Sequence, residues 1–473
     1  MSSDKNVLKL EKDKISEFQK ELHFQNMSKN DEPINSRFSA IYEKTSWSIH
    51  KKVLMPRTTG KQNEIIYTCN KKYDYLTKSE LHTTLPTVRV HEKYKKNVQI
   101  CWSHKVFHHI NGEASLMIDD DLVNSIDPIW LDIHSQMFEK MGVGKRNSYS
   151  AMIGDLEFLT DWNSQLPEFP IILPQPWFYN IHESHALPIL QSSMNRINHI
   201  YKFNLEFENL IRMRIKKKDG TWKNIKFNRK YLQNNETLKI PIPEMWGRFS
   251  LLTDPERNWH KERENIIYID DILSHKNSNP AHLGECIEIN LESKSPCKAL
   301  FWVAENLNSS KYNNLSNYTT NSENIYNGWN PCAMSSIQYE SNIERSSMIS
   351  NGHYDLSEPY NFFPSAPSEP GYNGYSFSYD PVSLNADTAV VLGNLKASLL
   401  VRLNDINPFH YEENIDEEQD EEGNYIPTEA VEDKEKAIPQ TPFNIHVRLL
   451  VIKKLKITWK GGSKGLLYQI IDQ

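Results

Sequence analysis

Three groups of residues in this 473-residue chain have the composition of working chemistry, and each departs from the spacing that chemistry needs. The first is His104, His108 and His109 with Glu113. Two imidazoles one helical turn apart beside a carboxylate would hold a hydrolytic zinc ion. The order is not HExxH, and the following INGEASLMIDDD reads as a turn and a strand, so structural histidines are expected and no metal ligand is assigned. The second is Gly142-Val143-Gly144-Lys145, which has the residue types of a phosphate loop. It lacks the upstream glycine, and Arg146 stands where Ser or Thr would bind magnesium, so it reads as a loop and no cofactor-binding residue is assigned. The third is Asp119-Asp120-Asp121 with Asp155 or Glu157, an acid and base for glycoside hydrolysis in principle. Such carboxylate runs are ordinarily solvated or capping. No G-x-S-x-G elbow and no supported Cys-His arrangement accompanies them, so no catalytic residue is assigned either.

Charge and composition narrow the classes further. The 54 basic against 61 acidic residues give a net charge of −7, which offers no global field for nucleic acid. Lys216-Lys217-Lys218 and Lys453-Lys454 are not interleaved with a broad aromatic platform and read as solvated strand ends. Five scattered cysteines (Cys69, Cys101, Cys286, Cys297, Cys332) form no C-x-x-C pair, so reduced thiols in a cytosol-like compartment are expected. MSSDKNVLKLEKDK is charged and has no apolar h-region, and no uncharged apolar run approaches ~18 residues. A chain neither secreted by the usual route nor membrane-spanning is expected, with the sequons at Asn26, Asn235, Asn308, Asn314 and Asn317 unmodified.

The elements that must position these residues are strands. The length exceeds the ~250–300 residues at which one core stops growing, and the 11% aromatic content favours sheet. Residues 4–25 pattern as an amphipathic helix, with Leu8, Ile15, Phe18 and Leu22 on one stripe, either solvated or docked; residues 26–45 are linker-like. Short β-branched and aromatic runs fill 46–240, and Asp219-Gly220 predicts a tight hairpin. Similar runs return after Trp246. Two β-domains in series are therefore expected, over 46–243 and 244–473, behind an arm over 1–45. The stretch 306–330 is too polar for core and reads as a long loop at one end of the second domain. The acidic stretch 411–436 reads as a solvated insert, a cation or basic partner being the lesser alternative.

Several stretches, in order, resemble the major capsid family of the nucleocytoplasmic large DNA viruses. KKYDYLTKSELHTTLPTV is similar to its early strand ending in a Leu-Pro turn, and INGEASLMIDDDLVNSIDPIWLDIHSQMF to its strand, turn and Trp-Leu-x-Ile helix. PQPWFYNIHESHALPILQSSMNRINHIYKFNLEF resembles its aromatic turn, helix start and closing strands, implying Trp177 and Phe178 at the domain edge and Pro188 in the first turn of a short helix. In the second half, MWGRFSLLTDPERNWHKE resembles the opening of the second domain, with Thr253, Glu256 and Arg257 in its polar turn. SPCKALFWVAEN resembles a buried strand, and GYSFSYDPVSLNADTAVVLGNLKASLLV and FNIHVRLLVIKKLKITWKGGSKGLLY the later strands. The Gly-Ala-x-Asp segment of the family is absent, which marks a divergent member.

The resemblance implies an all-β fold of two consecutive eight-stranded antiparallel jelly rolls, with short helices in loops and an N-terminal arm. It implies no enzyme and no cofactor, but a shell subunit: a homotrimer of pseudo-hexagonal outline that meets neighbouring capsomers in an icosahedral capsid. The loop 306–330 and the acidic insert would crown the trimer or line its contacts. Minor capsid proteins, and the inner viral membrane touched by the arm, are the further partners, without direct nucleic-acid contact. The location would be the virion, assembled in the host cytoplasm. The alternatives are a related double-jelly-roll scaffold or minor capsid protein, and a jelly-roll carbohydrate-binding protein or glycosidase.

Overall fold

The computed structural model describes residues 49–473 except 61–63, 70–71, 119–120, 140–144, 182–184, 190–195, 234–238, 253–264, 341–342, 384–387, 405–440, 460–465 and 472–473. The expected arm, the acidic insert, Asp119, Asp120, Gly142 to Gly144, the polar turn with Thr253, Glu256 and Arg257, the glycine turn GGSKG and the sequons at Asn26 and Asn235 lie outside the described residues.

Alternating apolar residues and frequent turns yield strands throughout. The first half holds β1 (Ile49–Leu54), β2 (Arg57–Thr59), β3 (Ile65–Thr68), β4 (Tyr75–Leu85), β5 (Val88–Arg89), β6 (Val98–Trp102), β7 (Glu113–Ile118), β8 (Asp121–Ile126), β9 (Gln165–Leu166), β10 (Phe169–Pro174), β11 (Leu187–Pro188), β12 (Ile197–Lys202), β13 (Ile211–Lys216), β14 (Trp222–Ile225) and β15 (Glu244–Leu251). The second holds β16 (Asn265–Lys276), β17 (Cys286–Asn290), β18 (Cys297–Asn306), β19 (Cys332–Tyr339), β20 (Ile343–Ser350), β21 (Tyr372–Ser376), β22 (Ser398–Leu403), β23 (Phe443–Trp459) and β24 (Leu466–Ile471).

In the first half, sheet β1-β15-β4-β10, with β11 also on β4, accompanies sheet β2-β3-β12-β7-β8; β14-β13-β6 and β5-β9 are smaller sheets. In the second half, β16-β23-β18-β21, with β24 also on β23, accompanies β17-β22-β19-β20. Among the described residues these second-half sheets hold five and four strands. Asp219-Gly220 turns the β13–β14 hairpin as expected: Lys216 pairs with Trp222, Gly220 has φ +90°, and Asp219 Oδ1 accepts from Thr221 N at 2.7 Å.

Residues 244–251 form β15, whose Met245 pairs with Leu81 and whose Ser250 pairs with Tyr75 of β4, so this strand lies in a sheet with strands of the first half. Trp177 and Phe178, expected at an edge, are fully buried, and Trp177 meets the His199 ring at 5.6 Å. Pro188 lies in β11 against Tyr75 rather than in a helix, a short pairing at which a residue without an N–H is tolerated.

The core explains why the two halves do not behave as separate beads. Successive residues of a strand point to opposite faces. Along β18, Ala299, Phe301 and Val303 pack into the core that fills the first half, while Leu300, Trp302 and Ala304 pack into the core of the second sandwich. That sheet is covered on both faces, which is why ALFWVA is apolar without alternation.

Candidate functional site

Charged side chains are buried where the two halves meet, among them Lys105, Asp132 and Arg448. Helix α1 (Val106–Asn111) is entered through Lys105, a non-glycine residue in the left-handed region at φ 49°. Helix α2 (Pro128–Met137) starts where SIDP supplies both a cap and a stop to the preceding strand. Asp127 Oδ1 accepts from Trp130 N at 2.7 Å, and Pro128 occupies the first turn, where its missing N–H costs nothing. The other oxygen, Oδ2, takes Arg448 Nη2 of β23 at 2.7 Å, so one side chain caps a helix and pins the opposite half. Trp130 meets Phe301 at 5.8 Å, and Phe138 meets both Phe301 and Phe363.

Asp132, in the middle of α2, is fully buried and is the hub. His108 Nδ1 donates to its Oδ1 at 2.6 Å, and Tyr318 OH, from the stretch 306–330, donates to its Oδ2 at 2.8 Å. His108 Nε2 lies in hydrogen-bond contact with Tyr149 OH at 2.9 Å, Tyr149 lying on α3 (Lys145–Ile153). Burial alone would push the Asp132 carboxyl up, yet the His108 hydrogen bond and the Lys105 charge together hold it well below the usual carboxylate range. Lys105 Nζ donates to Glu369 Oε2 at 2.6 Å and to Tyr372 OH at 2.9 Å; burial opposes its charge, and Glu369 more than offsets it, raising the ammonium pKa. Further along, Lys298 meets Asp270 and Lys453 meets Asp271, each at 2.6 Å, and Asn124 Nδ2 donates to Asp270 O at 2.9 Å. Lys453 is therefore not a solvated strand end. A cavity of about 320 Å³ opens beside Trp130, His134, Phe138 and Asp270, and burial lowers the His134 imidazole to about 4.

The three histidines of the zinc-like run do not converge. His104 Nδ1 faces Asp155 Oδ1 at 3.1 Å, His108 faces Asp132, and His109 Nε2 meets Ser316 Oγ at 2.7 Å, while Glu113 is exposed and paired with Lys202. Asp155 is taken by His104, and Asp121 and Glu157 are solvent-exposed. The His108–Asp132 pair has the chemistry of a general base, but both side chains are sealed from solvent. The arrangement fastens two domains. Sequence reasoning missed Asp132, Lys105, Tyr318 and Glu369; the one available signal was a carboxylate in the midst of the apolar IWLDI.

The stretch 306–330 is a correction as well. It is not a loop kept out of the core: Asn314, Asn317, Thr319 and Asn321 are buried, and the segment wedges between the halves. Asn313 Nδ2 donates to Ile211 O at 2.8 Å, and Arg212 Nη2 to Glu323 O at 2.8 Å. Its polar side chains satisfy its own main chain, as where Asn317 Oδ1 accepts from Thr319 N and Oγ1, so burial leaves few groups unpaired. Near its end Tyr326 is 72% and Trp329 61% exposed, and Tyr360 on the short helix Glu358–Phe362 is 80% exposed.

Two family models match this chain in succession: "Major capsid protein N-terminus" over residues 36–234, and "Large eukaryotic DNA virus major capsid protein" over residues 256–425. The chain belongs to the major capsid protein family of the large eukaryotic DNA viruses. Among relatives, it is 24% identical over 376 residues to the major capsid protein of lymphocystis disease virus 1 (isolate Darai), covering 75% of this chain and 79% of that one. It is 22% identical over 386 residues to that of invertebrate iridescent virus 3, covering 76% and 80%. The fold is shared with the PBCV-1 virus capsid (TM-score 0.63, 14% identity, 92% of this chain and 100% of that one) and with the Faustovirus major capsid protein (TM-score 0.63, 6% identity, 87% and 91%). The chain is thus an all-β protein of the double jelly-roll class and a structural capsid subunit of the virion rather than an enzyme, and its buried seam is scaffold.

Proposed function

We propose that three copies of this capsid protein form a capsomer whose six jelly rolls give it a pseudo-hexagonal outline, and that such capsomers tile an icosahedral shell. The observation that carries this reading is the seam. A trimer approximates a hexagon only if the two rolls of each subunit hold a constant relation, and here one core and the Asp132, Lys105 and Arg448 contacts run through both. The exposed aromatics Tyr326, Trp329 and Tyr360 are the surface we assign to contacts between subunits. By strand pairing we divide the chain into an arm over 1–45, a first roll from 46 through β15, and a second roll from β16 to the end. The arm would face the interior, toward minor capsid proteins and the inner viral membrane, with assembly in the host cytoplasm. Light scattering on a sizing column tests the central claim: a dilution-resistant mass near three times 55.3 kDa is expected, and a stable monomer would overturn it.

A further inference from the structure

Residues 211–231 contain nine Lys or Arg and a single acidic residue, Asp219, in a chain whose net charge is −7. They fold as β13, the Asp219-Gly220 turn and β14, followed by a short 3₁₀ turn, on the sheet β14-β13-β6. Strand parity sorts β13: Ile211, Met213 and Ile215 enter the core, and Arg212, Arg214 and Lys216 take the other face. Arg214 stands between two indoles, 4.6 Å from the Trp162 ring and 4.8 Å from the Trp222 ring, and Gln99 Oε1 accepts from its Nε and Nη2 at 2.9 and 2.7 Å. Contrary to the sequence expectation, the lysine run therefore does adjoin an aromatic pair. The neighbouring segment adds exposed Lys93 and Lys96, since Lys216 N donates to Asn97 O at 2.8 Å and Gln233 N to Arg89 O at 2.9 Å.

The shape of this face selects among polyanions. β14 is an edge: β13 lies on one side, and among the described residues no strand lies on the other. Lysines on an edge repel an identical edge but admit an extended chain of opposite charge, which gains main-chain hydrogen bonds along the strand. A phosphate polymer has no backbone that can continue the ladder. Its bases would need free aromatic faces, and the facing sides of Trp162 and Trp222 are taken by Arg214. An acidic polypeptide meets both requirements, and residues 411–436 of this chain hold twelve Asp or Glu against two Lys.

We propose that the β14-β13 face and edge bind an extended acidic polypeptide, supplied between copies by the 411–436 run of a second copy. The inference rests on the self-assembling capsid reading. The experiment follows particle mass by light scattering as ionic strength is lowered from 0.5 to ~0.05 M, where surface attraction lengthens its range. It compares the full chain, K216E/K217E/K218E, E417K/E418K/E421K, and the six changes combined. The three lysines sit on a solvent-facing hairpin, and the capsomer mass of each variant at high salt reports separately on folding and on the trimer. Association of wild-type capsomers at low salt, its loss in either charge-reversed variant, its return in the combined variant, and competition by a synthetic 411–436 peptide are expected. A peptide affinity changed less than twofold by K216E/K217E/K218E, a combined variant that stays unassociated, or tighter binding of oligothymidylate or phosphatidylglycerol vesicles than of the peptide would each overturn the proposal while leaving the trimer mass intact.

Discussion

Replacing Asp132 by alanine should do more damage than any surface substitution, and the seam geometry sets the size of the effect. The carboxylate takes hydrogen bonds from His108 at 2.6 Å and Tyr318 at 2.8 Å, and it lies near the Lys105 ammonium, all of them buried. Removing one partner of a buried charged set costs ~3–5 kcal/mol, because the remaining groups stay desolvated and unpaired. Tyr318→Phe removes one donor to a charged acceptor and should cost ~1.5–3 kcal/mol. Because both changes break the same bond, the double variant should lose less than the sum, by ~1 kcal/mol or more. Urea unfolding followed by tryptophan fluorescence is the assay. Trp102, Trp177 and Trp302 report from the two cores, and the seam reading requires both halves to lose stability together in the Asp132 variant. A loss below ~1 kcal/mol, strict additivity with Tyr318→Phe, or destabilisation confined to one half would refute the hub.

Burial lowers His109 to about 4 and His199 to about 3. Both are neutral in the fold, while the unfolded chain protonates them near ~6.5, so their contribution is complete above that pH and declines as pH falls toward the folded values. The decline should reach about 2 kcal/mol per histidine at pH 5; a His109→Gln variant whose melting temperature falls as steeply as wild type between pH 7 and 5 would contradict this. Asp132, depressed in the opposite class of group, adds its own loss only below ~4. Cys286 is exposed, whereas Cys69, Cys101, Cys297 and Cys332 are buried, and burial pushes the Cys101 and Cys332 thiols up to about 12. Titration with a thiol-reactive disulfide should therefore count one cysteine in the native protein and five in urea. Gly112 has φ +58°, and a Cβ there would lie 2.1 Å from Lys202 O, whereas Gly220 at φ +90° has open space. Gly112→Ala should cost ~2 kcal/mol or more, and Gly220→Ala about 1; equal shifts in the urea midpoint would count against the crowding at Gly112.

What local pattern alone carries was legible in the sequence. Runs of β-branched and aromatic residues located strands, and Asp219-Gly220 located a hairpin. The same logic failed for 306–330, where polarity was equated with exposure. Asn314 Nδ2 is committed to Ser322 O and Asn317 Nδ2 to Asn321 O, so two of the sequons are buried in hydrogen bonds the segment makes with itself. Nor does a strand's pattern name the sheet it joins, and only the folded chain sets β15 beside β4.

The amino-acid sequence alone fixed that both halves of this chain would be built of strands, since burying one face of a strand needs only the alternation of its own residues. Tertiary structure decided that the sandwiches would share a covered sheet and a sealed polar seam. Asp132 and Tyr318 lie 186 residues apart, and Asp127 and Arg448 farther still. The burial of a charge depends on which distant groups arrive to pair with it, which no local spacing encodes.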